Sequence, residues 1–190
     1  MLVKSVLIEK REIKMKNELT NEERLVEIKK YWLKRKSMIN DENANKLNEL
    51  EIFKDKVAFE FKDGWNDLIY ELGKDIEDLC KLANCELPLI QQIKEKFGTL
   101  RFYYNTLNSQ YPKIIEKSIR ALVSQAENRS STICEICGKF GETRVDGGLY
   151  KTVCEEHQGS SITVIEYEEI MRKHYEERRR AKEEVEQNPK

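Results

Sequence analysis

Nowhere in its 190 residues does the chain approach the roughly 18 to 20 consecutive apolar positions that a membrane helix needs, so no spanning segment is expected. The opening Met1 to Ile8 carries too short an apolar stretch for a secretory leader and no small-residue cleavage site, which makes the cytoplasm the expected compartment. An excess of one charge is missing too. Lys and Arg number 34 against 35 Asp and Glu, which excludes nucleic-acid binding through overall basicity and leaves room only for a local basic patch. The sequence contains no Gly-x-x-x-x-Gly-Lys, His-Glu-x-x-His or Gly-x-Ser-x-Gly, so a phosphate-binding loop, a zinc-protease helix and a serine nucleophile elbow all lack support. No internal repeat of solenoid length is visible.

Charge, by contrast, is abundant. Charged residues make up 36 % of the chain and mean hydropathy is −0.72, so much of the sequence must lie on solvated faces. The first forty residues are basic, with Lys4, Lys10, Arg11, Lys14 and Lys16 among them. A helix is expected to start at Thr20, which with Glu23 forms a Thr-x-x-Glu capping box before Leu25, Ile28 and Trp32. A second helical stretch follows Asp41, with Ala44, Leu47, Leu50, Phe53 and Val57 at three- and four-residue steps. Met15 reads equally as a translation start, which would make residues 1–14 dispensable, or as part of a longer first helix.

The clearest amphipathic pattern is Trp65, Leu68, Ile69, Leu72, Ile76, Leu79, Cys80 and Ala83, which predicts a core helix ended by Pro88. Cys80 and Cys85 then read as small buried hydrophobes rather than a redox pair. Leu100, Phe102 and Tyr104 alternate with Arg101 and Tyr103, and Gly98 supplies a turn, so a β-hairpin is expected here. The hairpin has two readings. Lys94, Lys96, Arg101 and Tyr103 form a surface able to stack bases or grip phosphates, or the charges merely face water while Phe97, Leu100, Phe102 and Tyr104 fill a core. Pro112 opens a further helix through Ile115, Ile119, Leu122, Val123 and Ala126. Residues 165–185 form a charged helix in which His174 lies on the surface and the neighbouring glutamates balance Arg178, Arg179 and Arg180.

The strongest chemical signal is Cys134-x-x-Cys137 followed by Gly138, then Cys154-x-x-His157. Two close pairs of soft or borderline donors suit tetrahedral zinc, and two intervening residues let a tight knuckle aim both sulfurs at one ion. Between the pairs, Glu142 to Val145 and Leu149 to Val153 flank Asp146-Gly147-Gly148, a hairpin pattern. Knuckle, hairpin and a second pair opening a helix describe a treble-clef-like unit. A disulfide or free thiols are the competing readings, disfavoured by the adjacent histidine and a reducing compartment. A complete Cys3His shell leaves no open position for water, which favours structural over catalytic zinc. With His157 assigned to the ion, His174 is the only histidine left to act as a general base, and it lies far along the chain from the cysteines; no catalytic residue is assigned.

The expected class is therefore α+β: a helical arm over 1–60, a helix and hairpin core over 61–130, a zinc unit over 131–160 and a charged helix over 161–190. Gly64-Trp65 opening a helix, the Lys94-Glu95-Lys96-Phe97-Gly98-x-Leu100-Arg101-Phe102-Tyr103 stretch and the Cys-x-x-Cys-Gly…Cys-x-x-His site together resemble small zinc-binding proteins of bacteriophages and mobile elements. The resemblance covers about residues 63–157 and implies an accessory protein with no catalytic residue to carry over. By that analogy, the expected function is non-enzymatic binding of a host or phage protein, such as a host enzyme or defence complex. Nucleic-acid binding through the basic arm, the hairpin and the zinc unit is the alternative.

Overall fold

The computed structural model describes residues 38–54, 57–106 and 111–187. The Thr20 helix, the basic arm and the Met15 question lie outside them. Within them the chain is a mixed α+β structure with two small sheets.

Helix α1 (Asp41–Asn48) starts where Asn40 accepts the Asn43 N–H at 2.9 Å, an N-cap that satisfies one of the first unpaired donors. The periodicity running on to Val57 predicts a longer helix, but α1 ends after two turns and its continuation bends inward. The bend is held because the Glu77 carboxylate accepts the Ile52 N–H at 2.8 Å, and Phe53 is then fully buried. Strand β1 (Phe59–Glu60) follows. Ile39, Leu47, Ile52, Phe53 and Phe59 all belong to the main core, so the core begins well before residue 61.

A single 3₁₀ turn over Asp63–Trp65 leads into α2 (Asn66–Leu82), whose inward face is the expected stripe of Leu68, Ile69, Leu72, Ile76 and Cys80. Pro88 does not end it. The helix stops at Leu82, where Asn84 adopts a left-handed φ of 49° and the Cys85 N–H closes back on the Cys80 carbonyl at 3.0 Å, a Schellman-type termination. Cys80 is buried and Cys85 half-buried. Gly73 lies in the middle of this helix, a position that ordinarily costs about 1 kcal/mol relative to Ala. Its reason is contact: a Cβ there would lie 2.4 Å from Cε2 of Phe53.

Helix α2 is the crossover between β1 and the parallel strand β2 (Leu89–Lys96), which pairs antiparallel with β3 (Thr99–Asn105). Phe97 and Gly98 join the two strands, with φ of 55° and 75°, the two left-handed residues of a tight hairpin turn. The register sets Ile93 opposite Phe102 on the inner face. Helix α3 (Lys113–Ser130) packs on α2 and along β3. It covers the strand edge with side chains: Ser130 Oγ accepts the Leu100 N–H at 2.8 Å and Glu127 accepts that of Phe102 at 3.0 Å. Unpaired edges invite pairing with other chains, and two of the edge donors of β3 are taken in this way.

The second sheet has β4 (Glu142–Asp146) between β5 (Leu149–Val153) and the short β6 (Ile162–Thr163). Gly147 and Gly148, both left-handed, make the expected turn. Helix α4 (Val164–Gln187) closes the described chain, started by the Glu166 carboxylate accepting the Thr163 N–H and hydroxyl, each at 2.8 Å.

Candidate metal centre

The first pair of donors sits on a loop held on three sides. Cys134 N–H donates to the Lys139 carbonyl at 2.8 Å and Gly138 N–H to the Cys134 carbonyl at 2.9 Å, which close the knuckle. Glu135 N–H donates to the Thr152 carbonyl at 2.9 Å and ties the loop to β5. Gly138 takes a φ of 76°, a left-handed conformation that glycine adopts without steric cost. The second pair follows β5 directly, because Cys154 is the residue after Val153. Here the expectation of a helix is corrected. Cys154 precedes one 3₁₀ turn over Glu155–His157, and the α-helix begins only at Val164, after β6. One turn suffices, since it already brings Cys154 Sγ and His157 Nδ1 within 3.2 Å.

All four expected donors converge. Sγ of Cys134, Cys137 and Cys154 and a ring nitrogen of His157 lie within 4.8 Å of one another and could hold a metal ion. Cys137 Sγ is 3.6 Å from Cys154 Sγ, and Cys134 Sγ is 3.6 Å from His157 Nδ1. The sulfurs stay unbridged, so the disulfide reading is not realised. Burial pushes the Cys134 thiol up, yet backbone hydrogen bonds associated with Cys154, Cys137 and Ile136 outweigh it and bring the group down to about 7. A thiol poised as thiolate is what a metal ligand requires. Four protein donors complete a tetrahedron, an arrangement suited to a structural metal site.

The knuckle is joined to the core at its back. A Cβ on Gly64 would lie 2.1 Å from the Cys134 carbonyl oxygen and 2.6 Å from Gly138 N, so backbone rests on backbone there. Gly64 N–H donates to the Glu135 carbonyl at 2.9 Å, and buried Trp65 sends its indole N–H to the Ile133 carbonyl at 2.8 Å. The buried Glu135 carboxylate pairs with Lys62 at 2.5 Å. On the other side, the Thr152 hydroxyl donates to the Gly98 carbonyl at 2.5 Å. Gly64-Trp65, the hairpin turn and Cys-x-x-Cys-Gly, far apart in the chain, are thus one contact region. Sequence spacing did not foretell it.

The expected binding residues share a face. Register pairs Lys94 with Arg101 and Lys96 with Thr99, and Tyr103 lies two residues beyond Arg101, so all four point away from the face of Ile93, Leu100 and Phe102. Lys94 Nζ stands 5.4 Å from the Tyr103 ring centre. Arg101 is turned back, donating to Thr99 Oγ1 and to the Leu100 carbonyl, both at 2.7 Å. Phe97 departs from the core reading, being 64 % exposed with Lys96 over its ring. Its ring stands perpendicular to that of Tyr150, which in turn meets Tyr167 of α4.

Beside Phe97 opens a cleft of about 550 Å³ that no motif signals. Met38, Phe97 and Leu149 line it, with exposures of 59, 64 and 75 %, and Glu95 and Glu135 also border it. Burial pushes the Glu95 carboxyl up; the Gly98 N–H, donated at 2.6 Å, opposes this, and nearby Glu135 adds to it. His174 is exposed on α4 as expected. Among the described residues no helix is long and apolar enough to cross a membrane. Comparison with protein-family models, curated proteins and solved structures finds no match to the chain.

Proposed function

We propose that the chain is a non-enzymatic binding protein, stabilised by one structural zinc ion, that engages another protein through the cleft between the β2–β3 turn and the β4–β5 hairpin. Zinc is the assigned ion because three thiolates and an imidazole suit it. Its usual bond lengths give tetrahedral edges of roughly 3.6 to 3.8 Å, and three of the donor separations are 3.2 to 3.6 Å while all four donors lie within 4.8 Å of one another. The ion would fasten the hairpin that forms one wall of the cleft.

The observation that carries the reading is the cluster of exposed apolar side chains at Met38, Phe97 and Leu149 around that cleft. Exposed apolar side chains gathered around one cleft and rimmed by charge, here Lys62, Lys96 and Lys151, mark interaction sites. The phage or mobile-element setting that the sequence resembles makes a host protein the partner class. Affinity capture from host lysate, with nuclease present, should retain a defined protein partner that Phe97→Ser with Leu149→Ser releases at unchanged metal content. Capture indifferent to both substitutions would contradict the reading.

A second reading rests on the shared face of Lys94, Lys96, Arg101 and Tyr103. Nucleic acid bound there would dissociate steeply as salt rises, because phosphate contacts release counterions. It would also be lost with Lys94→Ala and Arg101→Ala while the cleft substitutions left it intact.

A further inference from the structure

Of the five cysteines, three belong to the metal centre. The other two stand at the end of α2, where the Schellman motif is complete: the Asn84 N–H donates to the Lys81 carbonyl at 3.2 Å, inside the 3.0 Å bond from Cys85 to Cys80. The motif sets the residues at its two ends side by side, and their side chains ordinarily touch. Here both ends are cysteines, and both carry free thiols. Tyr111 completes the group. Its hydroxyl donates to the Glu86 carbonyl at 2.8 Å and lies 3.1 Å from Cys80 Sγ, so with its one proton committed it accepts from the Cys80 thiol. Cys85 is within hydrogen-bonding reach of both. Burial pushes the Cys80 thiol and the Tyr111 phenol up, so both keep their protons at neutral pH. Cys80 is enclosed whereas Cys85 is half-buried and open to a small reagent, the division between an attacking thiol and a resolving one.

We propose that Cys80 and Cys85 are a reversible redox pair whose disulfide loosens the start of α3. The oxidant is a low-molecular-weight disulfide of the glutathione type. The Cys85 thiolate attacks one of its sulfurs, the S–S bond of the oxidant breaks, and one glutathione thiol leaves. Cys80 then attacks the Cys85 sulfur in the mixed disulfide and expels the second glutathione, which departs with the Cys80 proton. Two thiols are oxidised and one disulfide is reduced, so the exchange balances. Neighbouring side chains are what a disulfide requires, and the Schellman motif already provides them. The consequence passes through Tyr111, which immediately precedes Pro112 and α3. In the reduced protein its hydroxyl is held by both the Glu86 carbonyl and the Cys80 thiol. The disulfide removes the thiol proton, leaving the Glu86 bond alone to fasten the approach to α3.

Equilibrating the full chain in mixtures of reduced and oxidised glutathione, then alkylating and digesting with trypsin, tests this. Lys81 lies between the two cysteines, so the disulfide should appear as two tryptic peptides joined through Cys80 and Cys85, rising with the oxidised fraction and vanishing with dithiothreitol. Cys80→Ala should stall as the mixed glutathione disulfide on Cys85, and Cys85→Ser should form no link. Hydrogen exchange of the same samples reads the consequence. The Ile115 and Glu116 amides, which bond to the Pro112 carbonyl, should exchange roughly threefold faster or more in the linked form. The Leu100 and Phe102 amides, held by the far end of α3, should not change. Tyr111→Phe should still form the link but show no difference at α3 between its two states. No linked pair at any proportion of oxidant, a link from either residue to Cys134, Cys137 or Cys154, or a link that leaves Ile115 and Glu116 unchanged would overturn the proposal, as would a difference that persists in Tyr111→Phe.

Discussion

Gly64 is where a single atom decides the most. With backbone carbonyl and amide groups of the knuckle already in contact, a methyl group at this position must push the loop away from the start of α2. Gly64→Ala should therefore destabilise the protein by about 2 kcal/mol or more and weaken metal retention, measurable by chemical unfolding and by competition with a chelator. Glu95 gives a prediction with a sign. Its folded-state carboxyl is raised above the ordinary value, chiefly by burial, so the charged form is the disfavoured one. The stability linked to this group is fully present below the unfolded-state value and is lost as pH rises through the raised folded value. Glu95→Gln keeps an acceptor for the Gly98 N–H without the charge. The variant should equal the wild type in acid and exceed it at neutral pH; a constant difference across that range would contradict the assigned cause.

Among the elements, α2 was legible in the sequence because its apolar stripe repeats over more than four turns and every member faces the same way. Leu72→Ala should cost roughly 2 to 5 kcal/mol, since the side chain is enclosed, and an unchanged unfolding midpoint would show the register to be wrong. Gly73→Ala is the sharper test of packing. Alanine is the better helix former, yet the Phe53 ring occupies the space for its methyl group, so the substitution should destabilise rather than stabilise. The three- and four-residue spacing through Phe53 and Val57 misled because it ran on past Asn48, where a distant carboxylate, Glu77, bends the chain. The tight turn at Gly98 was readable from local chemistry. The exposure of Phe97 was not, because it depends on where Tyr150 and the second sheet stand, and periodicity along one strand carries no word of that.

For the molecule as a whole, the four metal donors were readable by spacing alone, while the seating of their loop was not. That seating joins Gly64, Trp65 and Gly98 to the knuckle and β5 through one backbone hydrogen bond and two from the Trp65 indole and the Thr152 hydroxyl to backbone carbonyls, none of which leaves a pattern in a linear sequence. It also ties the candidate metal site to the core. Removing the ion should release residues 134–157 first and then loosen the start of α2, because the Trp65 indole loses a fixed acceptor at Ile133. Hydrogen exchange before and after chelation should follow that order; simultaneous loss of protection in α2 and α3 at the outset would contradict it.

Cys134, Cys137, Cys154 and His157 together could hold one metal ion, proposed above to be a structural zinc. The most direct measurement of that proposal is native mass spectrometry of the purified chain alongside the Cys134→Ala, Cys154→Ala double variant, with elemental analysis of both. One zinc is expected per wild-type chain and none in the variant, with the wild type folded more stably. Full zinc content in the variant, or a metal-free wild type with undiminished stability after purification in the presence of zinc, would contradict it.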